Sequence, residues 1–309
     1  MAQRPKVILD CDPGHDDAFA LIVAARFTEL LGVTTVAGNA ALELTTRNAR
    51  IILDLCGSAA PLHSGANRPL VQPPVFADYV HGKSGMDGAV LPEPSRPADS
   101  THAIDFIIET VRSDEGAWLV PTGPLTNIAL AFTRAPDLAR RVAGISLMGG
   151  GRLGNRTATA EFNVWLDPEA AATVFDSGAP ITMAGLHLTH EFQASPARIA
   201  LVEASHPKLG PILAGLLRFF SGTYVSRHHG FVGAAMHDVC SVLALTHPHL
   251  FTTTEKFVAV DLHGNHTRGM TVIDDRQLVD RPAANATVLE TIDADAGFAV
   301  ICEAVRACP

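Results

Sequence analysis

Four aspartates lie close together near the start of the chain. The segment Val7-Ile8-Leu9-Asp10-Cys11-Asp12-Pro13-Gly14-His15-Asp16-Asp17-Ala18 places them between an apolar run and a helix-like run. Like charges this close repel one another and raise their pKa values, so such a cluster is typical of a site that coordinates a metal or shares protons. The cluster offers only oxygen ligands, which suit a hard cation such as Ca²⁺ or Mg²⁺. The segment therefore predicts a metal site at the end of a strand.

Two other interpretations of this segment stay open. Asp16 and Asp17 would also suit the first turn of a helix, where carboxylates favour the positive end of the helix dipole, but helix capping leaves Asp10 and Asp12 without a role. Asp10-x-Asp12 could instead be the acid pair of a haloacid-dehalogenase-like phosphohydrolase, which predicts Mg²⁺ dependence and activity on phosphate monoesters. Such a pair normally continues to a threonine, and here Pro13-Gly14-His15 follows.

The composition indicates a globular protein and argues against two classes of partner. The 309 residues are 47% hydrophobic and 18% charged, and the net charge of −9 is the wrong sign for nucleic acid or an anionic membrane. We find no apolar run of the roughly 18 residues that a membrane span needs, and no signal peptide. The five cysteines form no Cys-x-x-Cys pair, which is typical of reduced thiols. We expect a soluble, cytoplasmic protein.

Apolar runs alternate with amphipathic stretches along the chain, which predicts an α/β fold with an open, mostly parallel sheet flanked by helices. The predicted strands are 7–9, 33–37, 62–63, 118–120, 144–148, 181–184, 257–260, 270–272 and 287–291. The predicted helices are 16–26, 43–56, 103–112, 128–132, one from 167 to 178, most of 195–247, and 295–307. No convincing linker divides the chain, so we expect a single domain over residues 1–309.

The polar segments that follow the predicted strands are expected to share one edge of the sheet, because ligands of open parallel sheets bind beyond the carboxyl ends of the strands. These segments contain Asp10 to Asp17, Asn39, Thr122 and the residues 148–151. The long segment 65–100 is rich in proline and glycine, and a loop of that length is usually functional. Its motif His81-Gly82-Lys83-Ser84-Gly85-Met86-Asp87-Gly88 suggests a lid, with a mobile loop without chemistry as the alternative.

Three further motifs carry candidate chemistry. Gly149-Gly150-Gly151-Arg152-Leu153-Gly154 contains G-x-G-x-x-G, but residues 155–163 are expected to precede any helix, which argues against a dinucleotide site. Asn155 and Glu161-Phe162-Asn163 offer donors and acceptors that suit a polyhydroxy ligand, or alternatively satisfy their own backbone. His237-Asp238 begins an apolar helical run and adds an acid and a group able to donate a proton near neutral pH.

Together these motifs resemble the nucleoside hydrolase family, in particular its inosine-uridine-preferring type. Asp10-x-Asp12-Pro13-Gly14-x-Asp16-Asp17-Ala18 matches the family signature without a gap. Four more motifs follow in family order: Ala37-Gly38-Asn39, Pro121-Thr122-Gly123-Pro124-Leu125-Thr126-Asn127, Glu161-Phe162-Asn163 and His237-Asp238. The resemblance implies an N-glycosyl hydrolase that releases ribose and a free purine or pyrimidine base from ribonucleosides such as inosine or uridine. It also implies one Ca²⁺ per subunit and a homodimer or homotetramer.

The resemblance implies a role for each matched position. Asp12, Asp17, the main-chain carbonyl of Thr122 and Asp238 would hold the metal, and Asp10 would orient the turn. Asp12 would also take a proton from the metal-bound water, and His237 would assist the departing base. The substrate-binding set would be Asp16, Asn39, His81, Asn155, Glu161, Phe162, Asn163 and His237.

Two segments depart from the family pattern. The segment 221–229 offers Tyr224, His228 and His229 where relatives often carry tyrosines of the base pocket, which leaves the preference between purine and pyrimidine open. Leu186-His187-Leu188-Thr189-His190 replaces the frequent Leu-Asp-Val-Thr-His and indicates a changed contact behind the site. The presence of His237 argues against the purine-specific branch. A nucleoside-binding protein without turnover is the remaining alternative, and the presence of both Asp12 and His237 favours an enzyme.

Overall fold

The computed structural model describes residues 4–227, 229–278 and 280–309. Its strands are β1 (Lys6–Cys11), β2 (Glu29–Thr35), β3 (Leu62–Ser64), β4 (Trp118–Pro121), β5 (Gly144–Met148), β6 (Ile181–Ala184), β7 (Phe251–Lys256), β8 (Val258–Val260), β9 (Thr271–Ile273) and β10 (Ala286–Ile292). Its helices are α1 (His15–Phe27), α2 (Leu42–Leu55), α3 (Asp78–His81), α4 (Ala103–Ser113), α5 (Thr126–Arg134), α6 (Phe162–Leu166), α7 (Pro168–Phe175), α8 (Leu186–Thr189), α9 (Pro196–Ser205), α10 (Leu209–Arg227), α11 (Val239–Thr246) and α12 (Ala294–Arg306).

Eight strands form one sheet in the order β3-β2-β1-β4-β5-β6-β10-β7. Each pair of neighbours is parallel except β10 and β7, which are antiparallel at one edge. β8 and β9 form a separate antiparallel ribbon. The predicted fold class, an α/β fold around a mostly parallel sheet flanked by helices, is therefore confirmed.

The sheet is covered on both faces, as its apolar strands require. Side chains alternate along a strand, so Val7 and Leu9 of β1 contact one hydrophobic cluster and Ile8 the other. The first cluster is formed largely by α1, α9, α10, α11 and α12, and the second by α4, α5 and α7. β1 is buried from residue 7 to residue 11, and burial on both faces is typical of a central parallel strand. The turn that follows β1 is thereby anchored in the middle of the molecule.

Several observed elements differ from the predicted ones. β2 begins at Glu29, before the predicted 33. Helix α6 begins at Phe162, inside the segment expected to be irregular up to residue 163. β7 was not predicted, because an edge strand with four exposed polar residues in succession shows no apolar alternation. The predicted strands near 258 and 271 are confirmed as β8 and β9, and they form the separate ribbon.

No helix formed by residues 4–227, 229–278 and 280–309 combines the length and the apolar character that a membrane crossing needs.

Candidate active site

A cavity of about 300 Å³ opens at the carboxyl edge of the sheet. Its lining contains ten of the twelve predicted site residues: Asp16, Asn39, His81, Thr122, Asn155, Glu161, Phe162, Asn163, His237 and Asp238. The other two, Asp12 and Asp17, are completely buried next to it. The cavity therefore lies at the predicted edge of the sheet, because its lining residues follow β1, β2, β4 and β5 or lie against the ends of those strands.

Three carboxylates converge under the cavity. One oxygen from each of Asp16, Asp17 and Asp238 lies within 4.8 Å of the others, a spacing that a single metal ion could bridge. Asp12 lies beside this trio: its Oδ2 accepts a hydrogen bond from the main-chain N–H of Asn39 at 2.6 Å, and its Oδ1 is buried without a hydrogen-bond partner. An ordinary side chain at Gly123 would place its Cβ 2.5 Å from that Oδ1, so glycine is needed for this close approach.

The electrostatics of the aspartate cluster favour a bound cation. Burial raises the pKa of Asp16 to about 7 and the pKa values of Asp12 and Asp238 well above their ordinary range, and repulsion from neighbouring aspartates adds to the effect. No lysine or arginine among the described residues forms an ion pair with the cluster. Buried carboxylates without a counter-ion are costly, and the donor set consists of oxygen alone. The residues therefore fit a hard divalent cation.

Three deeper hydrogen bonds hold the turn after β1 in place. Asp17 accepts hydrogen bonds from the main-chain N–H of Gly14 at 2.9 Å and from the hydroxyl of Thr122 at 2.7 Å. Asp10 does not line the cavity; its Oδ1 accepts a hydrogen bond from the side-chain amide of Asn127 at 2.7 Å, which joins the end of β1 to the start of α5. The turn is thus fixed through side chains more than 100 residues away in the sequence.

Glu161 organises the wall opposite the aspartates. It is the N-cap of α6, and its carboxylate accepts three main-chain hydrogen bonds, from Gly150 at 2.9 Å, Asn163 at 2.8 Å and Val164 at 3.1 Å. A capping carboxylate satisfies N–H groups that have no partner within the helix. The glycine motif after β5 therefore binds a protein carboxylate through Gly150, and the helix that follows begins with Glu161 as its cap.

The two amides of this wall are also fixed. Asn155 accepts a hydrogen bond from the main-chain N–H of Phe162 at 2.9 Å, and Asn163 donates to the main-chain carbonyl of Thr122 at 2.9 Å. These side chains therefore satisfy the local backbone and also line the cavity, and binding of a polyhydroxy ligand by them stays a prediction. The polar side chains of this wall are therefore held in fixed positions by contacts within the protein.

His237 is held between two hydroxyl groups. Its Nδ1 lies 2.7 Å from the hydroxyl of Thr189, and its Nε2 contacts the hydroxyl of Tyr224. Its main-chain N–H donates to Asp16 at 3.2 Å, so the same residue also joins the aspartate cluster. Thr189 was not among the predicted site residues, although it lies in the segment 186–190. One of the two changed residues of that segment, His187, contacts the main-chain carbonyl of Leu289 at 3.0 Å.

His81 lies in the long loop that was predicted to act as a lid, and it lines the cavity from α3. Its Nδ1 is 3.0 Å from Nδ1 of His15, the first residue of α1, which lies between Asp12 and Asp16 in the sequence. Burial lowers the pKa of His15 to about 4 and the pKa of His81 well below its ordinary value. The sequence contained both histidines, but nothing in it indicates that residues 15 and 81 meet.

The cavity is also lined by residues that the sequence did not single out. They are Ala77, Tyr79, Val80, Phe220, Thr223 and Arg227, whereas Met148, another lining residue, belongs to the segment 148–151 that was predicted at this edge. The guanidinium of Arg227 lies 4.8 Å from the centre of the Tyr79 ring, which joins α10 to the long loop at the rim. Of the residues left open for the base pocket, Tyr224 lines the cavity, His229 is exposed, and His228 lies outside the described residues.

Comparisons with known proteins agree with this geometry. The sequence profile of the family "Inosine-uridine preferring nucleoside hydrolase" matches residues 7–299. The chain is 45% identical over 300 residues to a pyrimidine-specific ribonucleoside hydrolase RihA of Shewanella woodyi, covering 96% of this chain and 95% of the relative. It is 44% identical over 292 residues to a protein of the same description from Salmonella agona, covering 93% and 94%. A purine-preferring ribonucleoside hydrolase from Gardnerella vaginalis superposes with a TM-score of 0.90 at 32% identity, covering 97% of this chain and 99% of that chain.

Proposed function

Because the chain belongs to the family of inosine-uridine preferring nucleoside hydrolases, we propose that it forms one catalytic domain that hydrolyses ribonucleosides with the help of Ca²⁺. The metal ligands would be Asp12, Asp17, the Thr122 carbonyl and Asp238. The observation that carries this proposal is the group of buried carboxylates without a counter-ion, directly under a cavity lined by amides and Glu161. A homodimer or homotetramer remains part of the proposal.

Cleavage of an N-glycosidic bond makes three demands on a site. The sugar develops positive charge, a water must be activated, and the base must be helped to leave. A bound divalent cation would supply a positive charge that lowers the pKa of a nearby water and orients the ribose hydroxyls. Asp12 suits the role of proton acceptor, because its buried Oδ1 has no hydrogen-bond partner within the protein.

The ribose would be held by the preorganised polar groups. Asp16, Asn39, Asn155, Glu161 and Asn163 all line the cavity and offer carboxylates and amides to its hydroxyl groups. The negative charge of Asp16 and Glu161 would stabilise a sugar ring that becomes positive in the transition state. His81 and Phe162, which line the same cavity, would complete the substrate-binding set.

His237 would assist the departing base, and this role predicts a difference between substrates. We expect His237→Ala to lower kcat for uridine by about 10²-fold, because an unactivated base needs a proton donor. The same variant should lose less than about tenfold on 4-nitrophenyl riboside, whose leaving group needs no proton. Steady-state kinetics on both substrates measures the difference, with His187→Ala, a histidine outside the cavity, as the matched control. Equal losses on both substrates would rule out the leaving-group role.

Ribose release from uridine and inosine by the purified protein tests the function as a whole. The relatives at 44% and 45% identity are described as pyrimidine-specific, so we expect uridine to be cleaved faster, by about tenfold. A reducing-sugar assay run beside a phosphatase assay on 4-nitrophenyl phosphate decides between the hydrolase and the phosphohydrolase interpretation. Tight binding of a nucleoside without release of ribose would favour the binding protein.

A further inference from the structure

His15 lies behind the cavity and contacts two parts of the long loop. Its Nε2 is 2.7 Å from the main-chain carbonyl oxygen of Asp87, and its Nδ1 is 3.0 Å from Nδ1 of His81. The ring is completely buried and stacks on Phe219, Phe220 and His81, with centroids 5.0 to 5.4 Å apart. These contacts fix the ring of His15 in one orientation.

The partners of His15 determine where its proton lies. The carbonyl oxygen of Asp87 can only accept a hydrogen bond, so Nε2 of His15 carries a hydrogen. A neutral imidazole has one N–H, and therefore Nδ1 of His15 presents a lone pair to His81. Neither ring forms an ion pair with a carboxylate among the described residues, and both are enclosed by aromatic side chains, where the neutral form is favoured.

The same reasoning extends to His81. The 3.0 Å contact between the two Nδ1 atoms needs one hydrogen, which must then belong to His81. The main-chain N–H of His15 donates a longer hydrogen bond of 3.4 Å to the same atom, which would need a lone pair there. For two neutral rings, the two shorter contacts of 2.7 and 3.0 Å are satisfied together only with the hydrogen on Nδ1 of His81, so they decide the arrangement. With its hydrogen on Nδ1, His81 has a lone pair on Nε2, and His81 is the member of the pair that lines the cavity.

We propose that His15 is a positioning residue for substrate recognition, because it fixes His81 so that Nε2 offers a hydrogen-bond acceptor to the ligand. The complementary substrate group is a donor, such as a ribose hydroxyl or an N–H of the base. This inference rests on the proposed function, since it assigns a recognition role within the same cavity. It also gives His81 the role of an acceptor in the ground state and not that of an acid.

Two substitutions at position 15 separate the two hydrogen bonds. In His15→Asn, the side-chain oxygen can still accept from Nδ1 of His81, but the donor to Asp87 is lost. In His15→Gln, the amide can still donate to Asp87, but the partner of His81 is lost. We expect His15→Gln to raise KM for uridine by about tenfold with little change in kcat, and His15→Asn to stay within about threefold of the wild type. A smaller loss for His15→Gln than for His15→Asn would overturn the proposal.

The background of His81→Ala distinguishes positioning from a general structural role. The double variant His15→Gln/His81→Ala should have a KM within about twofold of that of His81→Ala alone, because the two changes act on one interaction. A loss that persists in full in this background would show that His15 acts on the fold and not through His81.

Nuclear magnetic resonance of the unaltered protein tests the same point without a variant of His15. Long-range proton–nitrogen correlation on histidine labelled with nitrogen-15, assigned with His81→Ala, should show Nδ1 of His81 protonated and Nε2 unprotonated. The opposite tautomer would overturn the proposal. Absence of ribose release by the wild type would refute the proposed function. The observed tautomer would still decide whether His15 determines which ring nitrogen of His81 carries the hydrogen.

Discussion

Treatment of the purified protein with a chelator is expected to lower ribose release from uridine by at least about 10³-fold, and added Ca²⁺ should restore it. The expectation follows from the buried carboxylates of Asp12, Asp16, Asp17 and Asp238, which have no cationic partner among the described residues. Without a cation these groups repel one another and take up protons, so the acceptor for the water proton and the groups that orient the ribose are both lost.

The same ion should stabilise the fold. A ligand that binds the native state at a concentration of about 100 times its Kd adds about 2.7 kcal/mol to the free energy of unfolding, so Ca²⁺ should raise the Tm by several degrees. Titration with Mg²⁺ provides the comparison, because Mg²⁺ demands a stricter octahedral geometry and dehydrates less readily. Full activity in the presence of chelator, with a Tm that does not respond to Ca²⁺, would contradict the metal site.

The sequence predicted the composition of this site because the relevant rule is topological. In a parallel sheet the carboxyl ends of neighbouring strands meet, so Asp12 after β1, Asn39 after β2 and Thr122 after β4 had to approach one another once the alternation of strands and helices was recognised. Glu161 and His237 come from loop segments, and the hydrophobic periodicity of the sequence does not predict the direction in which a loop runs. Their residue types made both of them candidates, and their roles came from the family resemblance. The structure shows the main-chain N–H groups and hydroxyls that hold them.

Other features depend on contacts that no local pattern encodes. The pairing of His15 with His81 joins residues 66 positions apart through a loop rich in glycine and proline. The cap formed by Glu161 is a local signal, but the short helix that it begins is only five residues long, which is too brief for a helical period to be visible. β7 is an exposed edge strand whose polar residues resemble a loop. In each case tertiary partners outweigh local preference.

Asp12→Asn is expected to abolish turnover and, in the absence of metal, to stabilise the protein. We expect kcat/KM for uridine to fall by at least about 10³-fold, since the amide cannot accept the proton of the attacking water and is a weaker ligand. In chelator, the substitution removes a buried carboxyl group that must either keep its charge beside Asp16 and Asp17 or take up a proton, and both cost free energy on folding. An amide N–H could also donate to a neighbouring carboxylate, so the Tm of the metal-free variant should rise by a few degrees.

The opposite signs of these two effects make the experiment informative. A substitution that damaged the fold would lower activity and Tm together, whereas loss of a metal ligand should lower activity and the response to Ca²⁺ while raising the Tm in chelator. Asp176→Asn removes an exposed carboxylate and is the matched control, with less than about 0.5 kcal/mol expected on stability. Near-normal hydrolysis of uridine by Asp12→Asn would refute the assigned role of Asp12. A lower Tm in chelator would contradict the predicted relief of repulsion. The asparagine oxygen can still accept from the main-chain N–H of Asn39, the bond that the Asp12 carboxylate accepts at 2.6 Å, so loss of that bond would not explain such a result.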